Sequence, residues 1–527
     1  MRSIIIIIAF CMATVLVFGQ HQQSASKPTS SLQLPKPQLV RGPYLQNAAP
    51  TSMVIRWRTN ALARSCVRIG ERPQKLETIV IDSILKTEHI VRVSGLRPGT
   101  KYYYSIGGVK DTLQWGAENY FYTLPPVGAK GKYRIGVFGD CGTNGVEQFK
   151  VRDALTKYLG DNYMNCWLLL GDNAYKKGED AEYQQNFFDV YQQDYLAKYP
   201  LFPSPGNHDY HDAEFSIAYA QKSHEIAYFH NFSMPVDGES GGVPSNNKAF
   251  YSFDLGNIHF LSLDSYGKDE GLFRMSDTLG PQVQWMKKDL EANQNKEWIV
   301  AYWHHPPYTM GNHNSDKEKE LIAIRENFLP ILERYNVDLV LCGHSHVYER
   351  SKLMKGYYGD EVSFNPAVHN LSQSTGTYDG SNNSCPYIKE PGKNQGTVYV
   401  VSGSAGQAGR FQASFPHDAM VYSEGILTGA CMLEINGNRL DLKWITENGA
   451  ILDQFTMMKE VNPFKKIKVK KGSELILTAP FESDQYNWKP GGQKSREISV
   501  TPRGGKMLYT VSDEKGCVKT QYIIETY

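Results

Sequence analysis

Between Tyr133 and His346, apolar runs repeatedly stop at a short cluster rich in glycine and metal-binding side chains, and this repetition constrains the fold more than any other feature. Tyr133–Phe138 leads into Gly139-Asp140-Cys141-Gly142, and Cys166–Leu170 into Gly171-Asp172-Asn173-Ala174-Tyr175. Leu201-Phe-Pro-Ser-Pro precedes Gly206-Asn207-His208-Asp209. Trp298–Tyr302 precedes His304-His305-Pro306-Pro307-Tyr308, and Val337–Leu341 precedes Gly343-His344-Ser345-His346. Helical patterns at Val146–Leu159, Pro281–Leu290 and Lys319–Tyr335 fall between the runs, while Ala249–Asp254 and Ile258–Asp264 read as an antiparallel pair. Strand–helix alternation predicts an α/β (α+β layered) sandwich. In open α/β sheets, loops at the carboxyl ends of strands converge on one crevice, so the clusters are expected to meet.

Taken singly, each cluster is weak, because a Gly-Asp pair after a strand is more often only a turn. Together they present Asp140, Asp172, Tyr175, Asn207, His304, His344 and His346, a mixture of hard oxygen and borderline nitrogen donors. That mixture suits iron, manganese or zinc rather than a thiolate-loving metal. Seven donors are too many for one ion with open positions, but they suit two ions sharing a carboxylate. Such pairs, about 3.5–4 Å apart, clamp the attacking and leaving oxygens of a phosphoryl displacement. The glycines are expected to let the backbone turn sharply, aiming the next side chain inward.

A length of 527 residues implies roughly three domains. Arg2, the apolar run Ile4–Phe18 and the polar stretch that follows have the plan of a secretory signal peptide over residues 1–20. The run is short of the ~20 residues needed to cross a bilayer, so no stable membrane span is expected and the product is secreted, periplasmic or extracellular. A Ser/Gln/Pro-rich linker occupies 21–37. Short alternating strands from 38 to 125, with Trp57 central, predict a fibronectin III-like β-sandwich. The layered domain covers 132–458, with a polar surface insertion from Gly356 to Lys393, and alternating segments over 461–527 predict a small Ig-like β domain. With 56 basic against 55 acidic residues and no basic stripe, nothing indicates a nucleic-acid partner. The seven cysteines beyond the signal show no CxxC spacing, and Cys141, Cys166 and Cys342 are expected as buried thiols.

The five clusters resemble the GDxG, GDxxY, GNH[DE], VxxH and GHxH blocks of the purple acid phosphatases, within the calcineurin-like metallophosphoesterases. Arg41-Gly-Pro-Tyr-Leu-Gln46, Phe250-Tyr-Ser-Phe-Asp254, Val347-Tyr-Glu-Arg350 and Val398-Tyr-Val-Val-Ser-Gly403 extend the likeness over about Val40 to Met458. Ala301 departs from the usual Val of the fourth block. That leaves His304 and His305 as alternatives, of which His304 fits the Pro306 and Tyr308 spacing. The resemblance implies that Asp140, Asp172, Tyr175 and His346 hold one ion and Asp172, Asn207, His304 and His344 the other. It further implies Fe(III), because of the Tyr175 phenolate, beside a divalent Fe, Zn or Mn. The implied activity is an acid phosphatase hydrolysing small phosphate monoesters by attack of a metal-bound hydroxide. His208 and His313 are the implied catalytic histidines at the leaving group. A phosphodiesterase or nucleotide hydrolase on the same core is the alternative, and a non-catalytic binding protein stands further off.

Overall fold

A computed structural model describes residues 36–390, 395–461 and 463–527, and within it Pro37–Tyr527 forms one compact unit. The expected signal peptide and nearly all of the linker lie outside the described residues. No helix among the described residues is long and apolar enough to cross a membrane.

Two mixed sheets face each other across the middle of the molecule. In the first, β1 (Lys132–Phe138), β2 (Cys166–Leu170) and β3 (Leu201–Ser204) run parallel, flanked by the antiparallel strands Gly429–Asn436, Arg439–Thr446 and Ile451–Lys459. In the second, Ile258–Ser262, β4 (Trp298–Tyr302), β5 (Leu339–Cys342) and Val398–Ser402 run parallel, with Tyr251–Leu255 antiparallel at one edge. Four of β1–β5 are buried at every position and β1 at five of its seven, as continuous apolar runs covered on both faces require. Phe202 and Phe253 stack at 3.7 Å between the sheets, and the Tyr302 hydroxyl donates to the Phe202 carbonyl at 3.2 Å. The carboxyl ends of all five labelled strands therefore open on the same side.

The N-terminal strands pack on the layered region without a break in the core. Leu39–Ala49 touches β3 through the pair Gln46 and Leu201, which carries the first sheet on into the strands Ser52–Gly70 and Lys101–Gly107. Buried Arg41 donates to Asn231 and Gln184, both at 2.6 Å, and lies 4.2 Å over the Phe188 ring. One cluster of buried residues accordingly runs from Tyr44 to Met457, and a second serves the C-terminal strands.

Two features differ from the sequence reading. The stretch 356–393 is not wholly a surface insertion, because Tyr387–Lys389 adds a parallel strand beside Ile451–Lys459, and Tyr357, Tyr378 and Tyr387 are buried. Its alternation is too short to read against its polar composition. Cys385 and Cys517 form a disulfide that ties this stretch to the C-terminal strands, while the other five described cysteines, Cys141, Cys166 and Cys342 among them, are buried thiols. The expected helix Lys319–Tyr335 is helical from Lys319 to Arg334, with a wider turn at Ile324–Phe328 that places Pro330 in the opening turn of its last segment.

Candidate metal centre

The seven candidate donors gather at the carboxyl ends of β1–β5 in two groups. In the first, the Tyr175 hydroxyl lies 2.9 Å from Asp140 Oδ1 and 2.9 Å from His346 Nε2, which is itself 3.4 Å from Asp140 Oδ1. In the second, His304 Nε2 lies 3.1 Å from Asn207 Oδ1, 3.2 Å from His344 Nδ1 and 3.3 Å from Asp172 Oδ2. Asp172 also bears on Tyr175, so it stands between the groups. Donors about 2.1 Å from a common ion sit about 3.0 Å apart in an octahedral shell and about 3.4 Å apart in a tetrahedral one. Both groups have this spacing. Oxygen and nitrogen donors of these types, gathered at this spacing in one crevice, fit a pair of ions.

Backbone geometry aims these atoms. Asp140, Asp172 and His344 take φ of 58°, 52° and 67°, in the left-handed region that side chains other than glycine seldom adopt. Each carboxylate has one oxygen pinned by an amide: His344 N–H donates to Asp140 Oδ2 at 2.8 Å, and His208 N–H to Asp172 Oδ1 at 2.8 Å. The remaining oxygen of each is turned to the crevice. His304 Nδ1 donates to the Leu170 carbonyl at 2.8 Å, which orients the ring with Nε2 toward the other donors. Gly171 turns the backbone at φ 89°, as expected, whereas Gly206 and Gly343 act differently. A Cβ on Gly206 would lie 2.2 Å from Asp172 Oδ1, and one on Gly343 would lie 2.4 Å from Asp140 Oδ2, so close approach rather than turning requires them.

The structure brings His304, not its neighbour, to the donors. His305 is buried against the ring of His344 at 4.2 Å and bonds Ser265 through Nδ1 at 2.9 Å. His208 and His313 stand at the rim, each about a third exposed. His208 Nδ1 donates to the Lys176 carbonyl at 2.6 Å, which leaves Nε2 4.0 Å from Asp172 Oδ2. His313 Nδ1 donates to Glu318 at 2.9 Å while its ring lies against His344.

Charges at the site are strongly coupled. Burial opposes protonation of His304, but the Asp172 and Asp140 carboxylates outweigh it and push the imidazole up to about 9. Burial drives His344 down to about 4, helped by His304 and His313 and opposed by Glu318. Tyr175 is pushed well up by burial and then by the Asp140 and Asp172 charges. A bound cation reverses the sign of that local field and draws the phenol towards phenolate. Burial, then the Asp172 charge, lifts Asp209 to about 7, and Asp209 fastens the second and third clusters together by accepting from Asn173 N at 3.1 Å and Gly206 N at 2.8 Å.

Sequence reasoning missed three supporting residues. Glu318 carries no signal in its type or spacing and is recognisable only once His313 lies beside it. Asn312 accepts from His346 N–H at 2.6 Å, and the Gln407 amide sits 3.2 Å from His346 Nδ1.

Comparison with known proteins agrees with this geometry. Residues 133–348 match the model of the calcineurin-like phosphoesterases, and residues 41–123 that of the purple acid phosphatase N-terminal domain. The chain is 29% identical over 294 residues to purple acid phosphatase 15 of Arabidopsis thaliana, covering 51% of this chain and 50% of that one. It is 26% identical over 387 residues to acid phosphatase type 7 of Homo sapiens, covering 68% and 75%. The chain thus spans about half the length of the Arabidopsis relative. A purple acid phosphatase from yellow lupin seeds shares the fold, with a TM-score of 0.57 at 18% identity over 80% of this chain and 74% of that one. Residues 41–123 are thus a purple acid phosphatase N-terminal domain and residues 133–348 a calcineurin-like phosphoesterase domain, in a chain similar to the purple acid phosphatases.

Proposed function

We propose that this chain is an exported acid phosphatase that hydrolyses phosphate monoesters at a centre of two metal ions. The observation that carries the proposal is the pair of donor groups joined through Asp172. Asp140, Tyr175 and His346 would hold one ion, Asn207, His304 and His344 the other, and Asp172 both. A phenolate at Tyr175 favours Fe(III) in the first position, with Fe, Zn or Mn in the second. When bound, the ions supply Lewis acidity toward the phosphate oxygens and lower the pKa of water for in-line attack on phosphorus.

The protein's own groups do the rest. Each rim histidine has its Nδ1 engaged, which leaves Nε2 free for a substrate. His313, with Glu318 behind it, is suited to give a proton to the departing alkoxide. His208, packed on the Tyr175 ring at 4.7 Å, is suited to hold a phosphate oxygen from the other side. Export is supported by the N-terminal run Ile4–Phe18 and by the Cys385–Cys517 bond, which suits an oxidising compartment.

Turnover of p-nitrophenyl phosphate against bis(p-nitrophenyl) phosphate by the metal-loaded enzyme tests the assignment. A clear preference for the monoester at mildly acidic pH is expected. Faster turnover of the diester would replace the monoesterase reading with a diesterase on the same core.

A further inference from the structure

The C-terminal strands lie far along the chain from the histidine clusters and have a distinct electrostatic character. Residues 463–527 hold 12 lysines and arginines against seven acids, whereas the preceding 462 residues hold 44 against 48. The basic charge of a nearly neutral chain is thus concentrated in its last eighth.

Strand register sorts these charges by face. The sheet is ordered Phe464–Val469, Lys519–Thr526, Lys506–Asp513, Tyr486–Lys489. Side chains alternate along each strand, so Trp488, Tyr509, Val511, Tyr522 and Ile524 point into the buried cluster. The pairs Lys466 with Ile523, Lys468 with Glu525, Lys506 with Glu525, Leu508 with Ile523 and Lys489 with Thr510 lie on the opposite face. That outer face presents five exposed lysines, 466, 468, 489, 506 and 519, against the single carboxylate of Glu525. None of Lys466, Lys468, Lys489 and Lys506 is in an ion pair among the described residues. Phe464 and Leu508 stand among them, 54% and 53% exposed.

We infer that this outer sheet face is a docking surface for a linear acidic polysaccharide. Lys466 and Lys468 lie two residues apart on one strand, a repeat of about 6.6 Å, and Lys506 and Lys489 continue the positive strip across the sheet. A flat, positively charged strip with two half-exposed apolar side chains matches a chain of repeating anionic sugars, whose charges meet the ammonium groups and whose ring faces meet Phe464 and Leu508. Lysines on edge strands also discourage unwanted strand pairing. That role covers Lys466, Lys468 and Lys489, but not Lys506 or Leu508, which sit on an interior strand. The surface would hold the enzyme on an anionic matrix.

The test uses the full chain with dextran sulfate as probe and neutral dextran as control. Wild type is expected to bind dextran sulfate with an affinity that falls steeply with salt, as release of condensed counterions requires. The triple variant Lys466→Glu, Lys468→Glu, Lys506→Glu should bind at least about tenfold more weakly at 0.15 M salt, with p-nitrophenyl phosphate turnover unchanged. A charge-matched variant on the other domains, Lys110→Glu, Lys157→Glu, Lys288→Glu, should stay within about twofold of wild type. Equal weakening of both variants, no binding by wild type, or binding to anionic phosphatidylglycerol vesicles but not to dextran sulfate would each overturn the inference.

Discussion

The hydroxyl of Tyr175 lies 2.9 Å from the Oδ1 oxygen of Asp140, two buried groups brought together from the ends of adjacent parallel strands. With no cation they share a proton, and burial with the Asp140 charge holds the phenol well above its ordinary range. With Fe(III) between them the phenol becomes a ligand, so the iron-loaded protein should show a broad visible charge-transfer band. Tyr175→Phe should abolish that band while keeping the divalent ion, as read by absorption spectra and metal analysis. An unchanged band would assign it to another group.

Glu318 is expected to act through His313. Replacing His313 by Asn should lower kcat by about 10²-fold with a smaller effect on KM, the usual scale for a lost proton donor. Glu318→Gln keeps the shape but removes the charge behind the His313 ring, so it should lower kcat by a smaller factor than His313→Asn, with KM little changed. A kcat unmoved by Glu318→Gln would limit this residue to holding the loop, through its bond from Asn314 N–H at 2.8 Å.

Stability should depend on pH through His259, which is wholly buried between Asp254 at 2.9 Å and Asp289 at 2.6 Å. Burial disfavours its charge, but the two carboxylates raise its pKa above the ordinary value. A group raised on folding stabilises fully below its unfolded pKa of about 6.5, and that contribution fades as pH climbs through the folded value. Asp254, held below its usual range despite burial by His259 and Lys296, contributes above about 3.9 and fails as pH drops. The stability gap between wild type and His259→Leu should therefore be widest below the ordinary imidazole pKa of about 6.5 and shrink as pH climbs above it, measured by urea unfolding. A gap that widens with pH would show that His259 is neutral in the fold.

Arg350 and Asp453 form a bidentate pair at 2.6 and 2.8 Å with both side chains buried, and the Tyr348 hydroxyl donates to the same carboxylate at 2.8 Å. Removing one partner leaves an unpaired charge in the core, a cost of about 3–5 kcal/mol. Asp453→Ala should lower the melting temperature by several degrees, whereas Arg350→Met with Asp453→Leu should recover most of the loss. Failure of the double variant to recover would assign the effect to packing around Tyr348 instead.

What could be read beforehand follows physical range. Asp140, Asp172, Asn207, His304, His344 and His346 are legible because glycine and ligand types bunch at the ends of uniformly apolar strands, a pattern that burial on both faces imposes locally. Long-range pairings are different. Cys385 and Cys517 are 132 residues apart, and neither has a spacing that announces its partner. Lys389, buried on Asp338 at 2.5 Å, sits in a stretch whose polar composition masks its strand. The continuity of the N-terminal strands with the layered core rests on contacts such as Gln46 with Leu201 and Arg41 with Asn231, which no local pattern encodes.

Metal stoichiometry and turnover of Asp172→Ala, compared with wild type in one preparation, address the two-ion centre most directly. Wild type should carry about two ions per chain, iron among them, and the variant should lose at least one ion and about 10³-fold or more in kcat on p-nitrophenyl phosphate. Full occupancy with undiminished turnover in Asp172→Ala would contradict a centre built around that carboxylate.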